Sequence, residues 1–420
     1  TRFLRATMRI AIDYTAAINQ QAGIGRFTRN LVKALAALDS ENQYVLLCAR
    51  PNPGVQPTYP QAPNFVRRHL RVSERTMTIL WHRMRLPIHA EWLTGPVDIF
   101  HSPDFVLPYL GSSRGVVTIH DLAFILYPEC AEPSLREYLD RVVPHAAARA
   151  TFVVADSEHT RNDTICLLDV PPERVAVVPG GVEDHFQPVT DPERLARARQ
   201  LVGTEAPFIL YVGTIEPRKN LERLIAAYDL LKARYQLPHK LVLAGKRGWL
   251  WEGIVRRAEQ SPYRDDLLWP GFIPEELLPA LYSVADLFVF PSLYEGFGLP
   301  PLEAMACGRP VIGSAVGGIS FTVQPGVTGF LVPPRDPEAL AWRLGQLLVE
   351  PNLRARMGDA ARLRVEREFT WERAARQTAL VYEQVLAEAG TPPLTPGVDE
   401  RPHRLSKVHG LHRRVVHGVG

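Results

Sequence analysis

The chain repeats one rhythm twice: a short β-branched run, then a stretch with helical spacing. In the first half the runs are RIAIDY (9–14), QYVLLCAR (43–50), VDIFHSP (97–103), GVVTIHDLAF (115–124), TFVVADS (151–157) and RVAVVPGGV (174–182), with helical patterns over 25–38 and 133–150. The second half continues with FILYVGT (208–214), HKLVLAG (239–245), DLLWPGF (266–272), DLFVFPS (286–292), PVIGS (310–314) and GFLVPP (329–334). Helical patterns there cover 220–235, 249–259, 274–285, 337–349 and 351–366. Strands that alternate with helices build parallel sheets through right-handed crossovers. The expected fold class is therefore α/β: two Rossmann-like doubly wound domains facing a central cleft, where the carboxyl ends of the strands meet and ligands bind.

At 420 residues the chain exceeds one ordinary core, which agrees with two domains. The expected division is 8–185, a proline- and charge-rich linker at 186–206, and 207–370. A helix at 371–389 and a solvated, disordered tail at 391–420 complete it. A net charge of +3 does not mark a nucleic-acid binder, and the basic, histidine-containing tail reads as solvated rather than as a nucleic-acid arm. Cys48, Cys130, Cys166 and Cys307 show no paired spacing, which favours free thiols in a reducing compartment and a cytoplasmic location. No metal site is expected from them.

Five stretches carry chemistry. In LYVGTIEPRKNLERL (210–224) Arg218 and Lys219 sit between a strand end and a helix start. Adjacent cations there suit a phosphate or diphosphate; a solvated turn paired with Glu216 and Glu222 is the other reading. In YEGFGLPPLEAMACGRPVIGS (294–314) Glu295 lies in a loop, and Pro300 and Pro301 open a short helix running to Cys307. Glu303 is expected in its first turn. The amides of Phe297, Gly298 and Leu299 would face an anion, and the two glutamates would accept from hydroxyls. In GVVTIHDLAF, His120 and Asp121 follow a strand; His120 either binds substrate hydroxyls or caps the next turn with Asp121. His101 in the similar IFHSPDF reads as structural. The glycine turn AGIGRF (22–27) brings Gly23, Gly25 and Arg26 to a helix start, a possible second wall of the anion site. Pro270 and Gly271 expose the backbone around Phe272 and Ile273, which can read a base edge.

Together these residues resemble the retaining glycosyltransferases of family four, the large group with the two-domain GT-B fold. EGFGLPPLE (295–303) matches that family's Glu-x7-Glu signature, and GTIEPRKN (213–220) its diphosphate loop. The similarity runs from about Met8 to about Leu386. GTIEPRKNLERL, HDLAF and GIGRFTRNL look most like bacterial mannosyltransferases of cell-surface polysaccharide assembly.

The resemblance implies the following roles. Glu295 contacts the transferred sugar and Glu303 the ribose, while Arg218 and Lys219 neutralise the diphosphate with backbone donors from Gly298 and Leu299. His120 binds the donor sugar or orients the acceptor, and Gly25 closes on the diphosphate. Phe272 and Ile273 hold the base, which Gly245 and Lys246 flank. The final helix crosses back onto the first domain. Transfer is retaining and needs no cofactor or metal, with GDP-mannose the favoured donor and a glycan or lipid-linked molecule the acceptor. Many members carry an arginine where this chain has Thr214, so Arg218 takes more of the load.

Other readings are a UDP-sugar transferase, a nucleotide-sugar epimerase, a glycoside hydrolase and a non-catalytic nucleotide-sugar binder. The basic, partly apolar stretch RRHLRVSERTMTILWHRMRLP (67–87) is a candidate peripheral membrane contact, or a segment packed on its own domain.

Overall fold

The computed structural model describes residues 7–20 and 23–387. Among these lie two all-parallel sheets. The first contains β1 (Arg9–Asp13), β2 (Gln43–Arg50), β3 (Phe65–Ser73), β4 (Ile99–Ser102), β5 (Arg114–Ile119), β6 (Phe152–Ala155) and β7 (Val175–Val177), in the order β3-β2-β1-β4-β5-β6-β7. The second contains β8 (Phe208–Val212), β9 (Lys240–Ala244), β10 (Leu267–Gly271), β11 (Leu287–Phe290), β12 (Val311–Ser314) and β13 (Gly329–Val332), in the order β10-β9-β8-β11-β12-β13. Both orders run outward from the first strand and then reverse, the doubly wound pattern of two Rossmann-like domains. The reversal places a crevice between β1 and β4 in one sheet and between β8 and β11 in the other.

Near-continuous apolar runs suit strands covered by helices on both faces. Every residue of β11 is buried, and Tyr211, Phe288 and Phe290 stack through the centre of the second sheet. In the first sheet Phe100, Val117 and Val153 fill the same place. β3 was not expected: in FVRRHLRVS (65–73) polar residues outnumber apolar ones because it is the edge strand, exposed over most of its length. It absorbs the start of the basic stretch 67–87, in which Trp81 is buried and its indole Nε1 donates to the Ile88 carbonyl at 2.8 Å.

Among the described residues the compact units are those up to 155 with Thr160–Val178 and 376–387, and Asp156–His159 with Pro179–Ala375. The stretch 186–206, expected as a linker, folds with the second unit. Proline and charge there serve a helix, Pro192–Val202, in which Asp191 caps the Glu193 amide at 3.0 Å, Pro192 opens the first turn and Gly203 ends it at φ 74°. Its Ala198 and Val202 are buried, as is Phe186. The helix Trp371–Ala387 joins the first unit from Arg376, where buried Tyr382 bonds His101 Nδ1 at 2.7 Å. The tail expected at 391–420 lies outside the described residues.

Candidate active site

The loops after β8 and β11 flank the crevice of the second sheet, and hydrogen bonds tie them together. Pro217–Lys219 forms one 3-10 turn, and Asn220 follows in the left-handed region at φ 59°. The Asn220 side-chain amide donates to the carbonyls of Pro291 at 2.9 Å and Pro334 at 2.6 Å. The Leu293 amide donates to the Arg218 carbonyl at 2.8 Å, and Arg218 Nη1 to the Tyr294 carbonyl at 3.0 Å.

This stitching brings three predicted residues together. Glu295 Oε1 accepts from Lys219 Nζ at 2.5 Å and lies 3.0 Å from Arg218 Nη1. The other end of the guanidinium, Nη2, donates to Glu216 Oε1 at 2.9 Å. Lys219 and Glu295 are each only 8% exposed. Burial pushes the Glu295 carboxyl up, but Arg218 and then Lys219 outweigh it and hold it down at about 2. For Glu216, burial prevails over the same two cations and its pKa is raised. The alternative reading of a turn paired with Glu216 is therefore half right: Arg218 has that partner, but in a buried cluster. Together the groups offer an anion two fixed cations and keep an ionised carboxylate beside them.

The helix after this loop is Leu299–Ala306, one residue earlier than expected at each end. Its first turn holds Pro300 and Pro301, and Gly298 precedes it at φ 91°, a conformation that favours glycine. Because the helix begins at Leu299, Glu303 is its fifth residue and lies beyond the first turn, which corrects the expected placement. Glu303 is buried and accepts from the Tyr282 hydroxyl at 2.8 Å.

Sequence reasoning passed over what holds the Glu295 loop. The Gly318 amide donates to the Glu295 carbonyl at 2.8 Å, and a Cβ at Gly317 would lie 2.0 Å from that same oxygen. A Cβ at Gly318 would lie 2.2 Å from the Gly296 carbonyl, which also accepts from Ser157 Oγ at 2.7 Å. The adjacent glycines of AVGGIS, just after a strand, were the available signal.

Gly245 stands at the end of β9, where a Cβ would fall 1.8 Å from the Gly213 carbonyl; close packing of neighbouring strand ends requires the glycine. Lys246 Nζ lies 4.4 Å from the centroid of the Phe272 ring. Phe272 is 60% exposed but Ile273 only 5%, so the Ile273 side chain belongs to the core and only its backbone is left for a ligand.

In the first unit, His120 Nε2 bonds the Pro103 carbonyl at 2.9 Å, and its ring packs edge-on against Phe27 and Phe105 at 4.9 and 5.6 Å. Asp121 Oδ1 accepts from the Ala123 amide at 3.0 Å, as a cap of the next turn. Gly25 lies in the helix Ile24–Leu38, where a Cβ would meet the Gln20 carbonyl at 2.1 Å. Its lack of a side chain thus serves packing against the preceding turn. His101 is buried between Tyr382 and Thr118, and burial pulls its pKa down to about 3, as befits a structural histidine.

Residues 193–364 match the family described as glycosyl transferases group 1, and residues 22–186 match glycosyltransferase family 4. The chain is 30% identical over 372 residues to the O-antigen chain mannosyltransferase B of Escherichia coli, covering 86% of this chain and 96% of that one. Sucrose-phosphate synthase from Thermosynechococcus elongatus superposes with a TM-score of 0.71 at 27% identity, over 90% of this chain and 99% of that one. The Anabaena protein HepE in complex with UDP-glucose superposes at 0.64 with 18% identity, over 90% and 100%, a likeness of fold alone. The hydrolase and epimerase readings give way, and the chain belongs to glycosyltransferase family four, with the GT-B fold.

Proposed function

We propose that this enzyme moves a mannosyl unit from GDP-mannose to a glycan or lipid-linked acceptor, with retention and without a metal ion. The observation that carries the reading is the buried cluster of Arg218, Lys219 and Glu295 at the crevice of the second sheet. The mannosyl choice rests on the O-antigen chain mannosyltransferase aligned over nearly its whole length.

In this reading the donor diphosphate lies on Arg218 and Lys219, which supply positive charge as the sugar–phosphate bond breaks and the leaving oxygen becomes negative. Glu295 stays ionised next to the sugar and steadies the oxocarbenium-like carbon. The acceptor hydroxyl bonds to that carbon on the same face and gives its proton to the departing phosphate oxygen. Glu303 accepts from the ribose, and Phe272 with Lys246 borders the base. His120, oriented by its bond to the Pro103 carbonyl, binds the sugar.

A donor panel of GDP-mannose, GDP-fucose, UDP-glucose and UDP-galactose, assayed by acceptor-dependent nucleotide release, tests this. GDP-mannose should show a kcat/KM at least about tenfold above the rest, a difference of about 1.4 kcal/mol in transition-state binding. The second reading, a UDP-sugar donor, is favoured by the UDP-glucose complex of a protein with the same fold, and a UDP-sugar at the head of the panel would replace the first.

Among the described residues no helix is long and apolar enough to cross a membrane. The proposed location is cytoplasmic, with peripheral contact through the basic edge strand β3, where Arg67, Arg68 and Arg71 are exposed. Absence of flotation with anionic liposomes at low salt would remove that contact.

A further inference from the structure

The crevice of the first sheet has a different chemistry. Between β1 and β4 lies a cavity of about 480 Å³, within the roughly 300–1,000 Å³ of small-molecule sites. All its lining residues belong to the first unit. Three carboxylates face it: Asp13 at the end of β1, Asp104 just past β4, and Glu74 in the turn after β3. Trp81, Phe105 and Tyr138 supply aromatic walls. Among the described residues no lysine or arginine lines it. Its histidine, His82, is kept neutral at physiological pH by burial, which pulls its pKa down to about 4.

The carboxylates are held in place. Asp13 Oδ1 accepts from the Thr15 amide at 3.0 Å, and Glu74 Oε2 from the Asn19 side chain at 2.9 Å. One wall leads to a residue of the proposed reaction, since Pro103, which bonds His120 through its carbonyl, and Phe105, which packs against its ring, both line the cavity. Ala16 and Gln20, which also line it, supply the carbonyls that a Cβ at Gly25 would meet. A cavity with carboxylate acceptors, aromatic faces and no lining cation among the described residues suits a ligand rich in hydroxyl donors and C–H faces, and it repels an anion.

We infer that this cavity binds the acceptor as a neutral, hydroxyl-rich sugar and rejects sugars that carry a phosphate at the bound end. The inference rests on the transferase reading above and adds the charge class of the acceptor. A lipid-linked diphosphate acceptor would then enter by its glycan end, with its phosphates outside. Specificity would lie in Asp13, Glu74 and Asp104, none of which stood out in the sequence as a site residue.

The test is direct binding to the full chain without donor, read by ligand-observed NMR. The probes are methyl glycosides of mannose, glucose, galactose and N-acetylglucosamine, and the 6-phosphates of the same sugars. At least one methyl glycoside should bind, with its 6-phosphate at least about tenfold weaker, and Glu74→Gln with Asp104→Asn should shrink that ratio to about threefold or less. Equal or tighter binding of the phosphates to the unaltered protein overturns the inference, as does failure of every methyl glycoside to bind. A ratio that survives in the folded double variant overturns the assignment to these carboxylates. With no donor present, an incorrect assignment of GDP-mannose leaves the result unmoved, and the donor panel alone decides that point.

Discussion

The two sheets share the strand order around their crevices, yet the charged groups there are combined differently. Between β8 and β11 two cations close on Glu295, whereas between β1 and β4 three carboxylates line a cavity without a cation among the described residues. The contrast shows in single groups: Glu295 is held at about 2 by Arg218 and Lys219 against its burial, while Asp104 is pushed up to about 6 by burial, which His120 only partly offsets. Strand order fixes where loops gather. The side chains on those loops decide whether the place suits a diphosphate or a hydroxyl.

The largest effect is expected at Glu295. Glu295→Gln removes the charge and keeps the shape, so turnover should fall by about a hundredfold or more. GDP binding, measured by calorimetry, should hold or tighten because Arg218 and Lys219 lose their internal counter-charge. If GDP binding falls in step with turnover, the carboxylate serves only to hold the cations, and the division between sugar and diphosphate partners breaks down. Lys219→Ala separates the roles from the other side. It leaves a buried carboxylate with one partner fewer, at a cost of about 3 kcal/mol in stability, read as a lower urea midpoint. Donor KM should rise by about tenfold or more through the lost charge.

Acid and base should act in opposite senses on the two crevices. The folded-state pKa of Glu295 is depressed, so its contribution to stability is full above the ordinary value of about 4.3 and is lost as pH falls towards about 2. Asp104 is raised, so its ionisation costs stability from about pH 4 upward, fully above about 6. Asp104→Asn should therefore raise the urea midpoint at pH 7.5 and leave it unchanged at pH 4, whereas Glu295→Gln should lower it at pH 7.5. Carbon-13 carboxyl NMR would place the titrations themselves; an Asp104 that titrates near 4 would break the contrast.

Both sheets were legible because parallel strands buried on two faces advertise themselves as apolar runs. Edge strand β3 was not, since a strand open to solvent loses that pattern. The helix Pro192–Val202 was misread because proline and charge, which mark linkers, also mark a capped first turn. At the candidate site, Arg218, Lys219 and Glu295 stood out by type and by position at strand ends. Their mutual pairing could not be read, because it depends on the Asn220 and Gly317–Gly318 contacts that set one loop against another. Gly25 was expected to bring the backbone close to a ligand and Gly245 to flank the nucleotide; what a Cβ at either would meet is one of the protein's own carbonyls, Gln20 and Gly213. The carboxylate cavity went unseen because Asp13, Glu74 and Asp104 come from three segments with no shared motif.

The smallest effect is expected where a nucleotide base would lie. Lys246 stands over the Phe272 ring at 4.4 Å, an exposed cation–π contact worth about 0.5–1 kcal/mol. Phe272→Ala removes that contact and any ring–base contact, so GDP should inhibit about threefold less well, a loss of about 0.65 kcal/mol. Inorganic pyrophosphate, which reaches only the cations, should inhibit as before. Lys219→Ala should weaken both inhibitors, so the two variants together separate the base end from the diphosphate end. Equal loss of both inhibitors in Phe272→Ala would mean that the ring supports the Arg218 loop instead of the base. The same charge logic applies in the other crevice, where no change at Phe272 should alter the binding of a methyl glycoside.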